Sequence, residues 1–221
     1  MSGFSLILRR EFALAFAGGG GPLVAIGFFL AMTSLLPLAL GGSPERLAGV
    51  APGFAWLVLA LAALISLERM FERDYEDGSL DLITLGPAPL EMAAFAKALA
   101  QWATTTAPLA LVAPFVVAAL GGKTALWPII TAAGLTGGLA FAFLGGIGAA
   151  LSLGSRRGGI LIAVIVLPLF TPPVIFGAGA IEAFGAGLDW KTPLLFLAAY
   201  ALAAAALSPF AMAAAARNAL S

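Results

Sequence analysis

Ten of the chain's 22 charged residues fall between positions 68 and 97: Glu68, Arg69, Glu72, Arg73, Asp74, Glu76, Asp77, Asp81, Glu91 and Lys97. Charges of both signs stand close together, which suits setting register on another protein's surface. Catalysis is a poorer fit. The sequence has no histidine and no cysteine, so it lacks a Ser–His dyad, a thiolate nucleophile and the usual soft metal ligands. Catalytic residues and metal ligands are therefore expected to be none, and formal net charge of zero gives no nucleic-acid footprint. Gly122-Lys123-Thr124 resembles the end of a phosphate-binding P-loop, but position 117, where the first glycine belongs, is valine. ATP hydrolysis by this chain is not expected.

Within the charged segment, Asp77-Gly78 reads as a turn, with Gly78 free to take positive φ. Ser79 is placed to cap a short helix at about 80–85, bearing Leu80, Leu82, Ile83 and Leu85 and ended by Gly86-Pro87-Ala88-Pro89. A short apolar helix framed by charges is a good peg for a groove in another protein. A solvated loop whose charges keep it out of lipid explains the same composition.

The elements that hold this segment read as membrane spans. Hydrophobic residues make up 62% of the 221 positions and charged residues 10%, against about a quarter charged in soluble domains. Six stretches carry no Asp, Glu, Lys or Arg: 12–44, 47–67, 98–122, 124–155, 158–181 and 192–216. Each can cross the roughly 30 Å hydrocarbon layer as a helix of about 20 residues. The fold class is therefore all-α integral membrane, one transmembrane domain over 1–221. Spans are expected at about 22–40, 50–68, 92–120, 126–153, 159–178 and 193–215. A charged loop occupies 69–91, and the charged residues from 68 to 76 are expected to continue the second span as a helix.

Residues 4–16 read as an amphipathic interfacial helix, with Phe4, Leu8, Phe12 and Phe16 on one face and Arg9, Arg10 and Glu11 to the side, the arginines among headgroups. Leu8-Arg9-Arg10-Glu11-Phe12 faintly resembles a twin-arginine signal, but no convincing cleavage site follows, and the segment is expected to stay. With the N-terminus inside, cytoplasmic segments hold Arg9, Arg10, Arg69, Arg73, Lys97, Arg156, Arg157 and Arg217; outer segments hold Arg46, Lys123 and Lys191. That asymmetry places both termini in the cytoplasm. Residues 179–192, rich in glycine, are read either as short re-entrant helices or as an ordinary outer loop. Gly134 with Gly138, Gly145 with Ala149 and Gly146 with Ala150 are spaced for close helix packing, static or switching between two arrangements.

These residues in this order resemble a known family. Glu68-Arg69-Met70-Phe71, Asp74, Asp77-Gly78-Ser79-Leu80, Leu85 to Pro89 and Lys97 resemble the cytoplasmic loop of the heme exporter protein B family, the permeases of cytochrome c maturation transporters. Arg9 to Phe16, Ala51-Pro52-Gly53 with Trp56, Arg157-Gly158-Gly159 with Leu167-Pro168, and Leu207-Ser208-Pro209-Phe210 match in order over nearly the whole chain. The resemblance implies an ABC-2 type permease in the bacterial inner membrane, with a coupling helix between spans two and three. It implies as partners a separate ABC ATPase subunit in two copies, carrying ATP and magnesium, a second membrane subunit that handles heme, a further small membrane subunit and a periplasmic heme chaperone. Heme would be handled by the complex, with a partner holding the iron, and no cofactor is assigned to this chain. On this reading the ATPase contact comprises Glu68, Arg69, Glu72, Arg73, Asp74, Asp77, Gly78, Ser79, Leu80 and Ile83, with Leu80 and Ile83 as apolar anchors. The competing classes are an ATP-independent secondary transporter, which predicts internal repeats and polar residues at mid-membrane that are not seen, and a structural membrane anchor.

Overall fold

The computed structural model describes residues 3–17, 21–67, 69–154 and 158–220. Every long element is an α-helix, and no strand occurs among the described residues. That follows from the solvent: inside lipid each backbone N–H and C=O needs a partner within its own segment. In chain order the helices are α1 Gly3–Ala17, α2 Gly21–Leu40, α3 Pro44–Ile65, α4 Arg69–Glu76, α5 Ser79–Leu85, α6 Leu90–Gln101, α7 Ala107–Ala119, α8 Trp127–Leu151, α9 Gly158–Gly185 and α10 Lys191–Ala219. Among the described residues, six stretches are long and apolar enough to cross a membrane, including α6 and α7 joined as one span. The chain is a multi-pass membrane protein.

Two boundaries depart from expectation, and the third span has an irregular turn inside it. Helix α3 ends at Ile65, and Ser66 and Leu67 form a turn before α4, so the second span is broken rather than extended. The Ser66 hydroxyl donates to the Ala63 carbonyl at 2.9 Å and closes the helix end. Residues 179–185 are neither re-entrant nor a loop: α9 continues to Gly185, leaving 186–190 as the connection. Phe184 and Trp190 meet edge to face at 5.6 Å across that connection. The third span contains a π-helical turn, Trp102–Thr106. Pro108 has no N–H for the Thr104 carbonyl, and the ladder shifts so that Ala107 N–H donates to the Trp102 carbonyl.

Helix α8 is the centre of the bundle, packed by α10, α9, α7 and α3. Its glycines do two different things. A Cβ on Gly134 would stand 2.7 Å from Ala110 Cβ, and one on Gly138 would stand 3.0 Å from Thr106, so here helix approaches helix. Gly145 and Gly146 instead make hollows for side chains. Added Cβ atoms there would lie 2.3 Å from Leu67 Cδ1 and 2.6 Å from Met212 Sδ. Trp56 on α3 is wedged between Gly137 and Gly177, where added Cβ atoms would come within 2.3 and 2.1 Å of its ring. Its indole N–H donates to the Val174 carbonyl at 2.9 Å, and Phe141 lies 5.6 Å away, ring to ring. Sequence spacing singled out four of these glycines but missed the pair around Trp56, because Gly137 and Gly177 lie on different helices.

Candidate coupling face and its buried ion network

Four short stretches converge at one end of the bundle: the inner face of α1, all of α4, the start of α5 and the middle of α6. The convergence rests on charge. Lys97 on α6 ion-pairs with Asp74 on α4, and both side chains are 2% exposed. The Lys97 ammonium also reaches Glu11 on α1 at 3.1 Å. Arg10 of α1 grips Asp74 from the other side at 2.5 Å and pairs with Glu11 at 2.9 Å. Two cations thus face two carboxylates. Buried charges left unpaired are strongly destabilising, so each member depends on the others.

Ser79 ties in the start of α5. Its hydroxyl donates to Asp74 at 2.8 Å and accepts from Arg10 at 3.1 Å. It is therefore not the helix cap the sequence suggested. The cap position is Gly78, which has no side chain to cap with, and the Asp77 carboxylate just before it accepts the Ser79 N–H at 2.9 Å. Gly78 allows this by adopting φ of +74°, which favours glycine. The hydrogen bonds from Ser79 hold the exposed Asp77 carboxyl below its ordinary pKa. Arg73 donates to the Leu14 carbonyl at 3.3 Å, one of the last-turn acceptors of α1 that have no partner within the helix.

This geometry sorts the expected contact residues. Glu68 lies outside the described residues. Arg69, Glu72, Arg73 and Asp77 are exposed. Asp74 is buried in the network, and Ser79 is half-buried. Leu80 is fully buried and Ile83 half-buried against the core, so neither is an open anchor for a partner. The short helix has one apolar stripe toward its own protein, and Leu80, Ile83 and Thr84 follow helical spacing on it. The residues facing outward are Leu82 and Leu85, 72% and 84% exposed.

Sequence reading also left Arg10, Glu11 and Lys97 out of the site. Arg10 and Glu11 turn inward beside Ile7 and Leu14 rather than toward headgroups, while Phe12 and Phe16 are exposed. Lys97 carried a usable signal. It stands alone at the head of the charge-free run 98–122, and a lone cation there needs a partner.

Comparisons with known proteins cover the same span. A family model described as "CcmB protein" matches residues 2–219. A protein named heme exporter protein B from Paracoccus denitrificans is 46% identical over 96% of this chain and 97% of its own length. Proteins of the same name are 39% identical in Haemophilus influenzae, over 98% of each chain, and 39% identical in Escherichia coli K12, over 97% of each. With a family match spanning almost every residue and relatives well above 30% identity at full length, the chain belongs to the CcmB protein family.

Proposed function

We propose that this chain is the membrane-embedded subunit of an ATP-driven heme exporter acting in cytochrome c maturation, with α5 as the helix that seats in its ATPase. The relatives' name supplies the cargo class, and heme is treated as substrate. The observation that carries the docking reading is the pair Leu82 and Leu85. Two leucines stand exposed on a helix whose other face is pinned by Leu80 and by Ser79. Exposed apolar residues on a rigid support make interface anchors, and the flanking Arg69, Glu72, Arg73, Asp77 and Asp81 give register.

The lysine and arginine asymmetry supports an inner-membrane protein with α5 on the cytoplasmic side, where ATP is. ATP and magnesium belong to the separate ATPase, in two copies. A second membrane subunit that handles heme, a further small membrane subunit and a periplasmic heme chaperone complete the assembly. The iron is best held by one of those partners, because this chain has neither histidine nor cysteine to ligate it.

The test is affinity purification of the full-length protein in mild detergent. A P-loop ATPase should co-purify in stoichiometric amount and be lost on Leu82→Asp with Leu85→Asp. Replacing Leu80 would not serve, since a charge at that buried position disturbs the fold itself. Recovery of the protein alone, under conditions that keep ABC complexes intact, would overturn the docking reading.

A further inference from the structure

A cavity of about 390 Å³ opens between α1, α4 and α6 beside the ion network. Its inner end is formed by Ser66, Gln101 and Thr104. Thr104 lies seven residues beyond Lys97, about 10 Å further along the third span. The charges in the wall are matched within the protein. Glu11 and Asp74 both pair with Lys97, and Arg73 donates to the Leu14 carbonyl. Helix α4 also sets Arg69 three residues before Glu72 and Arg73 three before Glu76. No charged ligand is called for. What stays open is neutral and lies deepest. One amide N–H of Gln101 donates to Ser66, which leaves the amide oxygen and the second N–H to the inner end of the cavity. The Thr104 carbonyl receives no N–H from Pro108, four residues on.

We propose that this cavity is a water-filled inlet that wets the two irregular turns of the bundle, Ser66-Leu67 and Trp102–Thr106. Apolar hollows stay dry, whereas a roomy one whose wall offers several hydrogen-bonding groups holds water. At about 30 Å³ per molecule there is room for on the order of ten. Lipid supplies no partner for a backbone group that a helix leaves open, so irregular backbone at membrane depth persists where protein or water meets it. Both turns come together at the inner end of the cavity, joined by the Gln101–Ser66 hydrogen bond. Water there takes the Thr104 carbonyl and the open side of the Gln101 amide. When either turn bends, a water replaces the intrahelical bond that breaks, and bending costs less than it would in a dry bundle. Thr105 marks where the water stops. Its hydroxyl is fully buried with no partner, so the inlet ends one residue short of it.

The inlet does not rest on ATPase docking. Because the chain has no cysteine, single cysteines report the water directly. The experiment reconstitutes the full-length chain in liposomes and adds a charged, membrane-impermeant methanethiosulfonate. Leu85→Cys, exposed on α5, fixes the fraction of molecules whose α4 side faces the reagent. Thr104→Cys should label to that same fraction. It should also react about tenfold or more faster than Ala103→Cys, because a thiol in apolar surroundings has a raised pKa and each unit removes about nine-tenths of the thiolate. Ala103 is one residue away and outside the cavity wall. Ala15 lines the cavity, and Ala15→Phe fills part of it without changing charge. That variant should slow labelling of Thr104→Cys and leave labelling of Leu85→Cys unchanged. An unchanged melting temperature reports an intact fold, and the smaller Ala15→Leu takes its place if melting falls. Equal rates at 103 and 104, labelling of Thr104→Cys by a neutral permeant maleimide alone, or a rate that neither substitution of Ala15 slows would each overturn the inlet.

Discussion

Replacing Lys97 with methionine isolates what the ion network contributes. Methionine fits the stem of the lysine and removes only the charge. The network then holds two carboxylates, Glu11 and Asp74, facing Arg10 alone. Because Asp74 is 2% exposed, its lost partner is not replaced by water. Removing one side of a buried pair destabilises by about 3–5 kcal/mol. For a chain of this length about 2–4 °C of melting temperature accompanies each kcal/mol, so a fall of about 6–20 °C is expected in detergent. The double variant Lys97→Met with Glu11→Gln restores one cation to one carboxylate, and more than half of the loss should return. Arg217→Gln is the control, because its pair with Glu91 is half-exposed and contributes under about 1 kcal/mol. A second readout follows helix α1. The chain has no cysteine, so a single Ile7→Cys can be titrated with a maleimide; it should react faster in the Lys97→Met background. If Lys97→Met melts no lower than the Arg217→Gln control, and the double variant shows no recovery, the four charges do not act as a unit.

Three further outcomes test the packing and the docking face. Gly177→Ala puts a methyl into the Trp56 ring and should destabilise by about 1–3 kcal/mol, read as a fall in melting temperature, with Trp56→Phe in the same chain recovering part of it. Tyr200→Phe removes the hydroxyl that donates to the Leu169 carbonyl at 3.2 Å, an acceptor left open because Pro173 has no N–H; a loss of about 0.6 kcal/mol is expected, and Pro173→Ala should make the hydroxyl dispensable. Leu82→Asp with Leu85→Asp should abolish ATPase co-purification while the melting temperature of the isolated subunit stays within about 1 °C, since both side chains are mostly exposed.

Most of the architecture was legible because lipid leaves so few solutions. Long runs without a charge must be helices, and their number and order follow from the positions of Arg, Lys, Asp and Glu. What escaped was whatever depended on partners distant in sequence. The C-terminal end of α9 was open to reading as short re-entrant helices or as a loop because glycine and alanine dominate 177–187, yet a backbone near the membrane has reason to keep its helical bonds whatever the side chains are. The short helix at 79–85 was readable from Asp77-Gly78 and Gly86-Pro87, but which of its leucines faced outward was not. Four apolar residues within six positions do not name their own buried face. Only Asp74 and Arg10, 64 residues apart, settle it by pulling Ser79 inward. The alternating charges suggested a surface for recognition, and part of that pattern is consumed inside the protein.

That internal use bears on how a push at α5 would travel under the docking reading. Displacement of α5 acts first on Ser79 and Asp74, then through Arg10 and Lys97 on α1 and α6 together. These links are short, charged and mostly buried, so the four elements are better described as one body than as a chain of soft contacts. The joints lie at its edges. One is the turn at Ser66 and Leu67, where α3 stops and the second span changes direction. The other is the π-helical turn Trp102–Thr106, where the third span already departs from regular α bonding. Gln101 hydrogen-bonds to Ser66, so the two joints sit side by side at one level of the membrane. A rigid body hinged at that level would transmit tilt to α7 and α8 rather than translation, because Trp102 and Thr106 bond directly to the Leu135 and Gly138 carbonyls of α8. Gly134 lets α8 approach Ala110 of α7 so closely that a Cβ there would stand 2.7 Å from the Ala110 Cβ, so a shift of α7 is felt directly by α8. Under the docking reading, a tilt passed on from α5 would therefore bear first on the close Gly134–Ala110 crossing.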